Sequence, residues 1–178
     1  MTFFANIPFF LTLFRVVAAL SIVPALFWGS SEVCQYALLV IVLLAATSDF
    51  FDGYLARRWQ QVTISGAVFD HVADKLLMVS LLIGFLAIGR LEAYWVLVLI
   101  GREIVVMGMR EWALLSGFSV PVALGGKIKT ALLFLFFSYL LLFPAGLWFE
   151  SLFLVLVLVA SIISAAGYFV RCLKGARL

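Results

Sequence analysis

Apolar residues fall into six long blocks, at about 9–28, 33–56, 69–88, 93–115, 130–149 and 151–170, separated by short polar or Gly/Pro-containing interruptions. Each block has about the length a helix needs to cross a bilayer core. None alternates apolar and polar with period two, which argues against a membrane barrel. Inside lipid the backbone must satisfy its own hydrogen bonds, so the pattern predicts an all-α integral membrane protein, a bundle of six transmembrane helices. Residues 1–10 are apolar and aromatic, broken by Asn6 and Pro8, which suits a short interfacial segment before the first span. Gly29-Ser30-Ser31-Glu32 and Gly89-Arg90-Leu91-Glu92 read as turns, 57–65 as a polar connection, and 116–126 as a Gly- and Pro-containing loop. Pro24 is a candidate kink in the first span. There is no internal repeat, and 1–178 reads as a single membrane domain.

Composition strengthens this reading. The chain is 66% hydrophobic and 12% charged, against about 25% charged in a soluble domain. Six spans place both termini on one face, with the second-to-third and fourth-to-fifth connections. That face collects every basic residue except Arg90. Positive charge favours the cytoplasmic side, so both termini are expected to be cytoplasmic. The net charge of +3 then reflects topology, not nucleic-acid binding. Trp28, Trp95 and Trp148 fall near the opposite ends, where an aromatic belt would lie. Cys34 and Cys172 have no metal or redox spacing, and no cleavable signal pattern opens the chain.

Against this background, the stretch from Asp49 to Asp74 stands out, with four aspartates in one short span. Ionisable groups at membrane depth are costly and are functional candidates by default. At 100° per residue, Asp52, Gly53 and Ala56 lie within about 60° of Asp49 on one helical stripe. Asp70 and Asp74 are four apart and share a face. An antiparallel helix pair would bring the four carboxylates together, with Gly53, Ala56 and Gly66 permitting close backbone approach. Hard oxygen donors in this number suit Mg²⁺ or Mn²⁺, and two such ions can clamp a diphosphate. The competing reading pairs the aspartates with Arg57, Arg58 and Lys75 in a solvated turn, which leaves the offsets unexplained.

The stretch Asp49-x2-Asp52-Gly53-x2-Ala56-Arg57-x8-Gly66-x3-Asp70-x3-Asp74 resembles, at every fixed position, the motif of the CDP-alcohol phosphatidyltransferases. Chance agreement at eight positions is on the order of 10⁻¹⁰ per starting point, given residue frequencies of a few per cent. Further similarity, closest to bacterial members that use glycerol 3-phosphate, runs through Asn6-Ile-Pro8, 11–15, Arg102-Glu103-Ile104, Arg110-Glu111-Trp112 and 126–130. The last two spans match mainly in hydrophobicity. His71 departs from the pattern, standing where such members usually have proline.

The resemblance implies a six-helix, commonly homodimeric enzyme of the bacterial cytoplasmic membrane, with its active site facing the cytoplasm among membrane lipids. It would transfer the phosphatidyl group of CDP-diacylglycerol to glycerol 3-phosphate, giving phosphatidylglycerophosphate and CMP. By similarity, Asp49, Asp52, Asp70 and Asp74 hold two divalent ions, and Asp74 acts as general base. Asp52, Gly53, Ala56, Arg57 and Gly66 frame the CDP-lipid, with Asn6, Thr12 and Arg15 approaching from the N-terminus. A phosphorylated acceptor needs cations apart from the metals. Arg102, Arg110, Lys127 and Lys129 are the candidates, set against internal pairing of the arginines with Glu103 and Glu111. Two alternatives stand beside this: another acceptor (inositol phosphate, serine or phosphatidylglycerol), and a divalent-cation transporter. Transporter sites lie nearer the midplane, whereas these acids sit at a membrane edge.

Overall fold

The computed structural model describes residues 7–29, 31–59, 64–118, 120, 124–143 and 148–175; the side chains of 7–9, 11, 48–59, 64–68 and 70 lie outside that description. The described residues form six α-helices: α1 (Ile7–Trp28), α2 (Glu32–Trp59), α3 (Ile64–Ala87), α4 (Ala93–Leu115), α5 (Leu124–Leu142) and α6 (Trp148–Gly175). The chain divides into two compact units, Met1–Leu91 and Glu92–Leu178. Among the described residues, α5 and α6 are each long and apolar enough to cross a membrane, and 12–28 and 32–47 are shorter apolar stretches.

In the first unit α1 packs against both α2 and α3. Ala18, Ala19 and Ile22 of α1 are buried, as are Ala73, Leu77, Leu81 and Phe85 of α3. Small residues on α1 let the helices approach closely, and Gly84 carries this further. A Cβ there would lie 2.6 Å from Leu26 Cδ1. In the second unit α6 is the shared helix, packing against α4 and α5. Leu133, Phe136, Phe137 and Val157 are fully buried. Phe136 meets Phe153 edge-on at 5.4 Å between ring centres.

Two glycines end helices for a conformational reason. Gly89 and Gly117 have φ of 72° and 83°, the left-handed region that other residues enter at a cost. At Gly117 the Phe118 N–H donates to Ala113 O and the Gly117 N–H to Leu114 O, both at 3.1 Å. Gly89 repeats the pattern, with Arg90 N–H to Phe85 O at 2.8 Å and Gly89 N–H to Leu86 O at 3.0 Å. These are Schellman closures of α4 and α3. Phe118 then packs on the cluster of Ala113, Tyr168 and Cys172, the apolar contact such closures favour.

Several boundaries differ from the sequence pattern. Helix α5 begins at Leu124 and ends at Leu142, not at 130–149, so Lys127 and Lys129 are helical. A hydropathy window runs through Phe143-Pro144-Ala145-Gly146, but the residue before a proline is steered out of helical conformation. Helix α2 continues through Arg57 and Arg58 to Trp59, and α3 starts early enough to include Gly66. The connection between them is therefore shorter than 57–65. Helix α6 absorbs Arg171 and Lys174, cations that suit the negative end of a helix. Pro24 lies within α1, whose helical assignment runs on to Trp28.

Candidate functional site

The aspartate motif occupies helix ends in the first unit. Asp49, Asp52, Gly53, Ala56 and Arg57 stand on the last turns of α2, and Gly66, Asp70 and Asp74 on the first turns of α3. Both stretches are helical, the condition on which the alignment of their spacing into single faces depends. Of the four aspartates, only the Asp74 side chain is among those described, and it is half-buried. His71, beside Asp70, is also half-buried. Asn6 lies outside the described residues. Thr12 is half-buried on α1, and Arg15, one turn on, is fully buried.

The second unit brings two of the four predicted cations together. Three helices carry buried stripes: Val96, Leu99, Glu103 and Ala113 on α4; Lys129, Leu133, Phe136, Phe137, Leu140 and Leu141 on α5; Val157, Leu158, Ser161, Tyr168 and Cys172 on α6. Each stripe is apolar except at one level, where Glu103, Lys129 and Ser161 replace hydrocarbon. Glu103 Oε1 accepts from Lys129 Nζ at 2.6 Å and from Arg102 Nη1 at 2.5 Å. Arg102 also donates from Nε to Ser161 O at 3.2 Å and from Nη2 to Ser164 Oγ at 2.9 Å. The Lys129 and Arg102 side chains are 3% and 12% exposed.

Burying three charges costs several kcal/mol per ion unless each is paired and hydrogen-bonded. Here one carboxylate oxygen serves two cations, so this level gathers two positive groups around one acid. That is the electrostatic character of an anion site. Arg110 and Lys127 are exposed on α4 and α5. Pairing of Arg102 with Glu103, set against the phosphate reading from sequence, is present, and Glu103 is shared with Lys129.

Glu103, Ser161 and Ser164 were not among the expected site residues. A signal existed for the serines: Ser161-Ile-Ile-Ser164 puts two hydroxyl residues three apart in an otherwise apolar block. For Glu103 the signal was its place in the α4 pattern, where i, i+3 and i+7 from Val96 is a core position.

Comparison with known proteins bears on the motif and on nearly the whole chain. The family model described as CDP-alcohol phosphatidyltransferase matches residues 5–166, crossing the boundary between the two units. The chain is similar to a Rickettsia felis protein named CDP-diacylglycerol–glycerol-3-phosphate 3-phosphatidyltransferase, with 34% identity over 175 residues, covering 95% of this chain and 96% of that protein. Proteins of the same name from Escherichia coli K12 and Shigella flexneri are each 36% identical over 165 residues, covering 89% of this chain and 88% of theirs. A motif complete at every fixed position, on helices where its spacing has meaning, thus lies within a match over most of the length: this chain belongs to the CDP-alcohol phosphatidyltransferase family.

Proposed function

We propose that this protein is a membrane-embedded transferase that moves the phosphatidyl group of CDP-diacylglycerol to glycerol 3-phosphate, releasing CMP. The observation that carries the proposal is near-full-length similarity to proteins named for that reaction, with the eight-position motif intact. The six helices would form one membrane bundle with both termini and the aspartates on the cytoplasmic side, where nearly all the basic residues fall. By family resemblance the protein is a homodimer of the bacterial cytoplasmic membrane.

The donor set of four carboxylates fits Mg²⁺ or Mn²⁺, with Asp49, Asp52, Asp70 and Asp74 as the residues that would hold two ions. Bound there, the ions would neutralise the diphosphate and the departing CMP. The chain's own residues do the rest. Asp74 takes the proton from the acceptor hydroxyl as its oxygen forms a bond to the lipid-side phosphorus. The bond from that phosphorus to the CMP oxygen breaks, and CMP leaves with the electron pair. Gly53, Ala56 and Gly66 leave room for the nucleotide, and Arg57, Arg15, Thr12 and Asn6 supply polar contacts toward it. Arg102 and Lys129 receive the acceptor's own phosphate, with Arg110 and Lys127 at the solvent-facing approach.

The test is CMP release by the purified protein in detergent with CDP-diacylglycerol and a divalent ion, offering glycerol 3-phosphate, serine, inositol phosphate or phosphatidylglycerol in turn. Release that depends on glycerol 3-phosphate alone supports the proposal. Release with another acceptor in its place moves the protein elsewhere in the family.

A further inference from the structure

We infer that Glu103 is a positioning residue for the acceptor's phosphate, acting through Arg102 and Lys129 and not by touching substrate. The inference rests on the function proposed above and deepens it. Its ground is the convergence of two cations on one carboxylate oxygen, Glu103 Oε1, at 2.5 and 2.6 Å. Two nitrogens so placed lie within about 5 Å of each other, and in an apolar interior two like charges at that separation repel strongly. Without a counter-charge between them the pair would separate toward solvent.

Glu103 solves a problem particular to a buried site that fills and empties. Two bare cations would make the empty site costly, while two matched acids would leave nothing to attract an anion. One acid between two cations keeps the empty site tolerable and holds both nitrogens at one place. Geometry supports the same role. Glu103, the Ser161 carbonyl and the Ser164 hydroxyl together fix three of the five N–H groups of Arg102, which sets the plane of the guanidinium. The other two meet no acceptor among the described residues, which leaves them for a ligand. A fixed plane is what two-point recognition of phosphate oxygens requires.

The experiment measures KM for glycerol 3-phosphate, KM for CDP-diacylglycerol and kcat for the full-length protein and for Glu103→Gln, Glu103→Asp and Ser164→Ala. Glu103→Gln is expected to raise the acceptor KM about tenfold, leaving the donor KM and kcat within about twofold. Glu103→Asp should restore most of the acceptor affinity, and Ser164→Ala should raise the acceptor KM about threefold. If Glu103→Gln does not fold, the other two variants decide. An unchanged acceptor KM in the folded variants overturns the inference. So does a parallel rise in both KM values, or a fall in kcat alone. A wild-type protein that releases CMP without dependence on glycerol 3-phosphate overturns the proposed function and this inference with it. A dependent wild type with unaffected variants overturns the inference alone.

Discussion

In the first unit the acids of the family motif stand at helix ends, on the last turns of α2 and the first turns of α3. In the second unit the charges lie within packed stripes, Glu103 near the middle of α4 and Lys129 beyond the first turn of α5. The two placements solve electrostatics differently. At a helix end near the membrane edge, carboxylates can remain hydrated until cations arrive, so their repulsion is tolerable in the empty protein. Within a stripe of Leu, Phe and Val, burial takes Glu103 and Lys129 away from solvent. Each charge must find its partner in the protein, and here the partners come from α4, α5 and α6 together. The first arrangement suits soluble ions and a diphosphate. The second suits one anionic group that enters a preformed, buried setting.

If that division is right, damage to the first unit should strike turnover, and damage to the second should strike acceptor affinity. The largest effect is expected at Asp74. Asp74→Asn should lower kcat about 10³-fold, the scale of a lost general base, in protein that still elutes as a folded species in detergent. Near-normal turnover would remove Asp74 from the base role. Stripping divalent ions with a chelator should likewise abolish CMP release, with Mg²⁺ or Mn²⁺ restoring it. Activity that survives chelation would contradict the reading of the aspartates.

Next in size is Lys129→Gln, expected to raise the glycerol 3-phosphate KM about thirtyfold with little change for CDP-diacylglycerol. It also removes the Lys129 ion pair from buried Glu103, so thermal stability in detergent should fall. A rise in both KM values together would erase the distinction between the units. The smallest effects belong to the scaffold. Gly117→Ala meets no atom within 4 Å but must hold φ at 83°, so it should cost about 1 kcal/mol of stability while kcat stays within about twofold. Gly101→Ala, also in open space but inside α4, should be neutral or stabilise by up to about 1 kcal/mol. Thermal unfolding of the two variants side by side checks both signs.

The same contrast governs what could be read from the chain. The aspartate motif was legible because its whole logic is local. Offsets of three and four residues on a helix translate directly into a shared face. The sequence pattern puts α4 at 93–115, in agreement with the structure, because turns with glycine at 89 and 117 bound it. Helix α5 was displaced toward the C-terminus because hydropathy sees Phe143 and Leu147 as a continuation, although Pro144 and Gly146 favour a break. Lys127 and Lys129 looked equivalent, two residues apart before a span. The helix turns Lys127 outward and buries Lys129 on the stripe with Leu133 and Leu140. Glu103 was visible as a neighbour of Arg102, but its link to Lys129 spans 26 positions, and no local pattern predicts that.

The most direct measurement is equilibrium binding of labelled glycerol 3-phosphate to purified wild type, Asp74→Asn and Arg102→Gln, with Mg²⁺ and CMP present to occupy the donor side without turnover. The account predicts that Asp74→Asn binds the label as wild type does while Arg102→Gln loses at least tenfold in affinity. Loss of binding in Asp74→Asn with retention in Arg102→Gln would contradict it.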